Sequence, residues 1–188
     1  MNSTHAYILA GGLSSRMGAD KGLLLLHNKP MVNYVIETVR PIVPSITILT
    51  TNPEYKQFGY ELLRDNVPNL GPAGGIATVL QHSRAEQNFI ISCDTPFITT
   101  SVIEYILSHA QQTQITIPQH NNQLHPLCGV YATTCSEQWQ QCIQQGERKL
   151  QQLIQHFSLN VLDCNSFQSN TFTNINTPQE FEQAQQIT

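Results

Sequence analysis

The sequence predicts an α/β fold, a mostly parallel sheet covered by helices on both faces with an antiparallel element in its C-terminal half. Three observations lead there. Short apolar runs alternate with amphipathic stretches over the first hundred residues, the pattern of parallel strands linked by crossover helices. Turn residues bound each apolar run. Beyond residue 110, two apolar runs are separated only by a short polar loop, which suits a hairpin better than a crossover.

Taken in order, the first strand is Ala6–Ala10, followed at once by a glycine-rich stretch. Pro30–Val39 reads as a helix, since proline is tolerated in a first turn and Met31, Val32, Val35, Ile36 and Val39 form one apolar stripe. Ser45–Thr50 and Glu61–Leu63 are the next strands. A helix over Gly74–Arg84 turns Ile76, Val79 and Leu80 inward, and Asn88–Cys93 is another strand. Thr99 or Thr100 can cap a helix carrying Val102, Ile103, Ile106 and Leu107. The expected hairpin joins Gln114–Pro118 to Pro126–Ala132 through Gln119–His125. Ser136–Gln145 and Arg148–Phe157 read as helices with solvated glutamines, Leu159–Leu162 as a strand, and Thr177-Pro178 opens a last helix.

No internal repeat or linker interrupts this pattern, and 188 residues suit one domain, 1–188. Net charge is −4, and the seven Lys and Arg residues outside the first loop are scattered. That balance argues against nucleic acid as a partner. Met1–His5 carries no basic leader and no apolar run reaches membrane-spanning length, so no membrane association and a cytoplasmic location are expected. The five cysteines, Cys93, Cys128, Cys135, Cys142 and Cys164, form no C-x-x-C pair, and reduced thiols in or near a core are expected.

The segment from Leu9 to Gly22 holds four of the ten glycines and two of the nine basic residues. Glycines let backbone N–H groups approach phosphate oxygens, and Arg16 and Lys21 supply the cations that a nucleoside triphosphate requires. No Gly-Lys-Ser/Thr closes the segment, and it lacks the G-x-G-x-x-G spacing. In parallel sheets ligands bind at the carboxyl ends of strands. This segment follows the first strand, and Cys93-Asp94-Thr95-Pro96-Phe97 follows the Asn88–Cys93 strand, so the two can face one crevice. Asp94 has two readings: it caps the turn before proline, or it holds a hard cation such as Mg²⁺. The phosphate-suited loop beside it favours the metal. A second cluster, Gly71-Pro72-Ala73-Gly74-Gly75, reads as a tight loop or as a wall for close backbone approach to a base or sugar.

These blocks, with His125-Pro126-Leu127-Cys128-Gly129-Val130-Tyr131 and Asn174-Ile175-Asn176-Thr177-Pro178, occur in the order found in molybdenum cofactor guanylyltransferases. The opening segment resembles the L-A-G-G-x-S-x-R-M-G-x-D-K signature of these MobA-type members of the nucleotidyltransferase family. The resemblance spans nearly the whole chain. It implies a Rossmann-like three-layer nucleotidyltransferase fold and Mg²⁺-dependent transfer of GMP from GTP to molybdopterin. Residues 1–110 would form mainly the nucleotide-binding half and 111–188 mainly the acceptor-binding half. Leu9, Ala10, Gly11 and Gly12 would line the nucleotide with Gly75. Lys21 would contact its phosphates, with Arg16 close by. Asn52 and Asp65 match positions that contact the nucleoside, and Asp94 matches the Mg²⁺ ligand. Arg148, Asn174 and Asn176 match positions assigned to the pterin. The second cluster departs from the commoner G-P-L-A-G form by reading Ala73-Gly74.

The implied chemistry suits these residue types. The terminal phosphate of molybdopterin would attack the α-phosphorus of GTP and pyrophosphate would leave. The nucleophile is already anionic, so positioning and charge neutralisation by Arg16, Lys21 and Asp94-bound Mg²⁺ can suffice without a strong base. His125, in a loop before proline, reads as structural or as an acceptor contact rather than as a base. Molybdenum-insertion or molybdoenzyme-chaperone proteins would be partners on the same grounds. The alternatives are a cytidylyltransferase acting on the pterin or a sugar phosphate, whose loops usually read L-A-A-G, and a non-catalytic nucleotide-binding module.

Overall fold

A computed structural model describes residues 4–11, 20–67, 70–110 and 113–187. Its first strand, β1 (Thr4–Leu9), turns Ala6 and Ile8 to one face and Tyr7 and Leu9 to the other, the period-2 alternation of a strand buried on both sides. The short ribbon β2 (Leu25–Leu26) and β3 (Lys29–Pro30) follows, then α1 (Met31–Val39), β4 (Ile46–Leu49) and β5 (Glu61–Leu63). Next come α2 (Gly71–His82), β6 (Gln87–Ser92) and α3 (Thr100–Ser108). The C-terminal half adds β7 (Ile115–His120), β8 (Gln123–Leu124), β9 (Cys128–Ala132), α4 (Ser136–Gln144), α5 (Leu150–Leu153), β10 (Leu159–Asp163) and α6 (Pro178–Ala184).

The main sheet runs β10-β7-β9-β6-β1-β4-β5, with β8 paired to β7. β1 is parallel to β4 and β6, and β4 is parallel to β5. β9 is antiparallel to both β6 and β7, while β10 is parallel to β7. The chain leaves β1 toward β4 and β5, then returns to lay β6 on the other side, so strand order reverses beside β1. A crevice opens at the carboxyl ends of strands where such a reversal occurs. This is the Rossmann-like, mostly parallel architecture with its antiparallel element in the expected half.

Two apolar layers lie on opposite faces. α1 and α3 pack Val32, Val35, Val39, Val102 and Ile106 against Ile8, Ile48, Phe89 and Ile91. α2, α4 and α5 bring Ile76, Leu80, Trp139 and Leu153 onto Tyr7, Ile90 and Tyr131. Each fully buried aliphatic or aromatic side chain contributes about 1.5–3 kcal/mol of transfer free energy. Trp139 keeps its one polar atom satisfied by donating Nε1–H to the Ala73 carbonyl at 3.0 Å. All five cysteines are free and buried. Among the described residues no helix is long and apolar enough to cross a membrane.

The differences from the sequence reading have local causes. The expected Gly74 helix start moves back to Gly71, because Pro72 fits a first turn and Gly71 takes φ of 56°. Only Gly71 of that cluster needs a positive φ; Gly74 and Gly75 are buried helix residues kept small by packing. The expected helix Arg148–Phe157 shortens to α5 and a 3-10 turn, Ile154–His156, leaving Arg148 outside it. Gln119–His125 is a tight hairpin rather than a polar loop. Asn121 and Asn122 take φ of 50° and 61°, the left-handed pair of a two-residue turn, and β8 folds back on β7. His27 and Asn28, at 47° and 64°, make the same turn in the β2–β3 ribbon, which the sequence reading missed.

A third, small cluster sits apart from the two layers. Leu26, Met31, Ile175 and Ala184 are buried together, with Phe97, Tyr34 and Phe181 packed against them. It fastens α6 and the 174–176 segment to the ribbon and to the loop after β6.

Candidate functional site

β1 and β6 end in register, Leu9 opposite Ser92, and Cys93 N–H donates to the Leu9 carbonyl at 3.1 Å. Ala10 and Gly11 therefore leave the sheet beside Cys93 and Asp94. Ala10 N–H is tied to the Leu49 carbonyl of β4 at 2.9 Å, and Gly11 lies against Thr50. The first turn of α2 closes in from the other face. A Cβ on Gly75 would lie 2.9 Å from Leu49 Cδ2 and 3.3 Å from Leu9 Cδ2, and one on Gly74 would meet the Val67 carbonyl oxygen at 2.5 Å. Small residues let this helix press against the strand ends.

Asp94 sits just past β6, and its carbonyl accepts a 2.9 Å hydrogen bond from Ile175 N–H. That bond draws the 174–176 segment across the crevice. Asn176 Oδ1 then accepts from Lys21 Nζ at 2.7 Å, bringing together residues 155 positions apart. Asp94 Oδ1 is buried with no hydrogen-bond partner among the described residues. Burial raises the Asp94 carboxyl above its ordinary value, while Ser92 and the Lys21 charge pull it down and Glu180 adds to the rise. A buried carboxylate oxygen without a donor, next to a cation, fits a divalent ion that takes oxygen ligands. Among the described residues no cluster of three or more His, Cys, Asp or Glu side chains could hold a metal ion by itself.

Glu180 holds the neighbouring loop. Its carboxylate accepts from Asn176 N–H at 2.7 Å and Thr177 N–H at 2.9 Å, and Thr177 Oγ1 accepts from Glu180 N–H at 3.2 Å. This reciprocal capping box starts α6 and sets the backbone that carries Asn176. Beyond it lies a cavity of about 320 Å³ lined by His120, His125, Phe172, Asn174, Asn176 and Glu180, among others. His125 stacks on Phe172 with centroids 4.7 Å apart, and His120 lies 5.3 Å from the same ring. Burial and the neighbouring His120 lower His125 to about 4, so it is neutral at physiological pH.

On the far side, Asp20 ends the opening segment. Its Oδ1 accepts from Gly22 N–H at 3.2 Å and from the Tyr55 hydroxyl at 2.5 Å, and its Oδ2 accepts from Asn52 Nδ2 at 3.0 Å. Asn52 Oδ1 caps the 3-10 turn Pro53–Phe58 by accepting from Glu54 N–H at 3.0 Å. Asp65 Oδ1 accepts from Val67 N–H at 2.8 Å and from Thr78 Oγ1 at 2.9 Å, joining the end of β5 to α2.

The sequence-predicted residues thus fall into groups. Lys21, Asp94, Asn174 and Asn176 share one side of the crevice, and Leu9, Ala10, Gly11 and Gly75 form its floor at the strand ends. Asn52 joins them through Asp20, and Asp65 stands at the next strand. Arg148 is exposed, and its Nη1 donates to the Ile143 carbonyl at 3.2 Å near the end of α4. Gly12 and Arg16 lie outside the described residues. Sequence reasoning did not single out His120, Phe172, Tyr55 or Glu180. Glu180 had a signal, since Thr177-Pro178-Gln179-Glu180 spells the capping box; for the other three no spacing announces the meeting.

A family model for the MobA-like NTP transferase domain matches residues 6–161 of this chain. The chain belongs to that family. Its relatives include the probable molybdenum cofactor guanylyltransferase of Flavobacterium johnsoniae, 35% identical over 181 residues, covering 96% of this chain and 95% of the relative. Another is the molybdenum cofactor guanylyltransferase of Shewanella pealeana, 30% identical over 184 residues, covering 95% and 92%. The fold also matches the solved molybdopterin-guanine dinucleotide biosynthesis protein A of Archaeoglobus fulgidus with a TM-score of 0.81, 22% identity and 97% of each chain covered. The matched span runs from within β1 to within β10.

Proposed function

We propose that the protein transfers GMP from GTP to the terminal phosphate of molybdopterin, forming the guanine dinucleotide cofactor and releasing pyrophosphate. The observation that carries this reading is the buried Asp94 oxygen, without a hydrogen-bond partner among the described residues, beside the Lys21–Asn176 bridge at the strand ends. Relatives named for this activity along nearly their whole length support the choice of donor and acceptor.

In this reading residues 1–110 hold chiefly the nucleotide and 111–188 chiefly the acceptor. Leu9, Ala10, Gly11, Gly12 and Gly75 provide a wall without bulk, and Asn52 and Asp65 border the nucleoside. Lys21 and Arg16 attract the triphosphate and stabilise the charge that builds on the departing pyrophosphate. Asn174, Asn176 and Arg148 orient the pterin phosphate. An acceptor oxygen forms a bond to the α-phosphorus as the bond from that phosphorus to the β-phosphate oxygen breaks, and the electron pair leaves with pyrophosphate. A phosphate monoester needs no deprotonation at neutral pH, which accounts for a site without a catalytic base. Nucleotidyltransferases of this family typically use a divalent metal; Mg²⁺ on Asp94 would supply further neutralisation of the phosphates.

Incubation with GTP, Mg²⁺ and molybdopterin, followed by assay of pyrophosphate and the dinucleotide, tests the reading. Stoichiometric formation of both is expected. Preferential binding and turnover of CTP would overturn the guanylyl assignment, and nucleotide binding without transfer would leave a binding module.

A further inference from the structure

We propose that Tyr55 is a positioning residue for Lys21, acting through Asp20. The proposal rests on reading Lys21 as a phosphate contact. Asp20 immediately precedes Lys21 and caps the 3-10 turn Lys21–Leu23 from its first position. Its carboxylate is gripped at three points, by Gly22 N–H, Asn52 Nδ2 and the Tyr55 hydroxyl. The last of these is the shortest, at 2.5 Å, and comes from a side chain with 0% of its surface exposed. A hydroxyl donating to a carboxylate is among the stronger hydrogen bonds a protein makes.

The packing points the same way. A Cβ on Gly22 would run into the Tyr55 hydroxyl and lie 3.1 Å from Cys93 Sγ. The hydroxyl is thus wedged between the turn that launches Lys21 and the residue that precedes Asp94. A fold that needed only the ring of Tyr55 would be served by phenylalanine, which spares the cost of a buried polar group. Burial, together with the nearby Cys93 thiol and the Asp20 carboxylate, raises the phenol far above its ordinary value, so it remains a donor across the working pH range.

Lys21 is consequently fixed at both ends. Tyr55 and Asn52 hold its backbone through Asp20, and Asn176 holds its ammonium. A long, flexible side chain restrained in this way meets the charge of the leaving group without first being ordered. Removing the Tyr55 hydroxyl loosens the near end, and the loss should appear in turnover more than in nucleotide affinity.

The test compares the full chain with Tyr55→Phe, Asp20→Ala, Lys21→Ala and the Tyr55→Phe/Lys21→Ala double variant. For each, kcat, KM for GTP, equilibrium GTP binding and thermal midpoint are measured. Tyr55→Phe and Asp20→Ala should each lower kcat about tenfold, with KM for GTP changed less than about threefold. In the Lys21→Ala background, with residual turnover read at high enzyme concentration, Tyr55→Phe should have no further effect. A folded Tyr55→Phe with wild-type kcat, or one that loses the same factor in both backgrounds, overturns the proposal while leaving Lys21 in its role. Wild-type turnover by Lys21→Ala overturns the phosphate reading itself and the proposal with it.

Discussion

The two walls of the crevice are made of different material. At the ends of β1 and β4, with the first turn of α2, the wall is backbone, glycine and alanine drawn from short stretches of sequence. The opposite wall is made of side chains, with two histidines, a phenylalanine and three asparagines gathered from residues 120–125 and 172–176. A backbone wall suits an anion whose recognition needs close approach more than shape. A side-chain wall suits a larger acceptor with a heterocycle and its own hydrogen-bonding pattern. Asp94 joins them, sitting just past β6 and anchoring the second through its carbonyl bond to Ile175.

Changes at the joint should damage both walls at once, whereas changes within a wall should affect one substrate. The largest effect is expected for Asp94→Ala, which should lower guanylyl transfer on the order of 10³-fold with native circular dichroism. Pyrophosphate release measured at saturating GTP checks this, and near-normal turnover would remove Asp94 from the mechanism. Within the backbone wall, Gly74→Ala forces a Cβ to within 2.5 Å of the Val67 oxygen. It should cost about 2–3 kcal/mol in urea unfolding, the price of overpacking a rigid contact; an unchanged midpoint would show that the helix can shift outward freely.

The side-chain wall should also reveal itself through pH. His125 titrates at about 4 in the folded protein against an ordinary value of 6.5. Between these values the unfolded chain binds a proton that the native chain refuses, so stability falls as pH drops from 6.5 toward 4. The loss should be on the order of 2 kcal/mol, allowing for the partial exposure of the ring. Asp94 acts with the opposite sign, since a raised carboxyl destabilises the fold as pH climbs through its folded value. His125→Gln should flatten the acid-side slope in urea midpoints, and an unaltered slope would assign it elsewhere. Smallest of all, Asn174→Ala should raise KM for the acceptor about fivefold to tenfold and leave GTP binding unchanged. Equal effects on both substrates would break the division between the walls.

The same difference explains what could be read from the amino-acid order. β1, β4, β5 and β6 were legible because buried parallel strands are short apolar runs, and the Leu9–Gly22 segment was legible because its glycines and cations are contiguous. The Gly71–Gly75 cluster kept two readings, a tight loop or a wall for close approach, because composition cannot separate a glycine needed for φ from one needed for closeness. Asn121-Asn122 and His27-Asn28 were missed as turns because neither contains the glycine that usually marks one. His120 and Phe172 meet through the pairing of β7 with β10 and the return of the chain after β10. No local pattern encodes that meeting. Tyr55 carries no signal in the sequence, and only its hydroxyl partner sets it apart.

The bridge between Lys21 and Asn176 has a consequence for synthesis. Chains grow from the amino terminus, so every strand of the sheet emerges before Asn176 does. A nascent chain can complete every strand of the described residues and still lack the group that holds its lysine and the small apolar cluster that seats α6. A released chain truncated soon after Asp163 should therefore retain its sheet strands yet fail to transfer, so competence arrives late, as a property of the finished molecule rather than of its sheet.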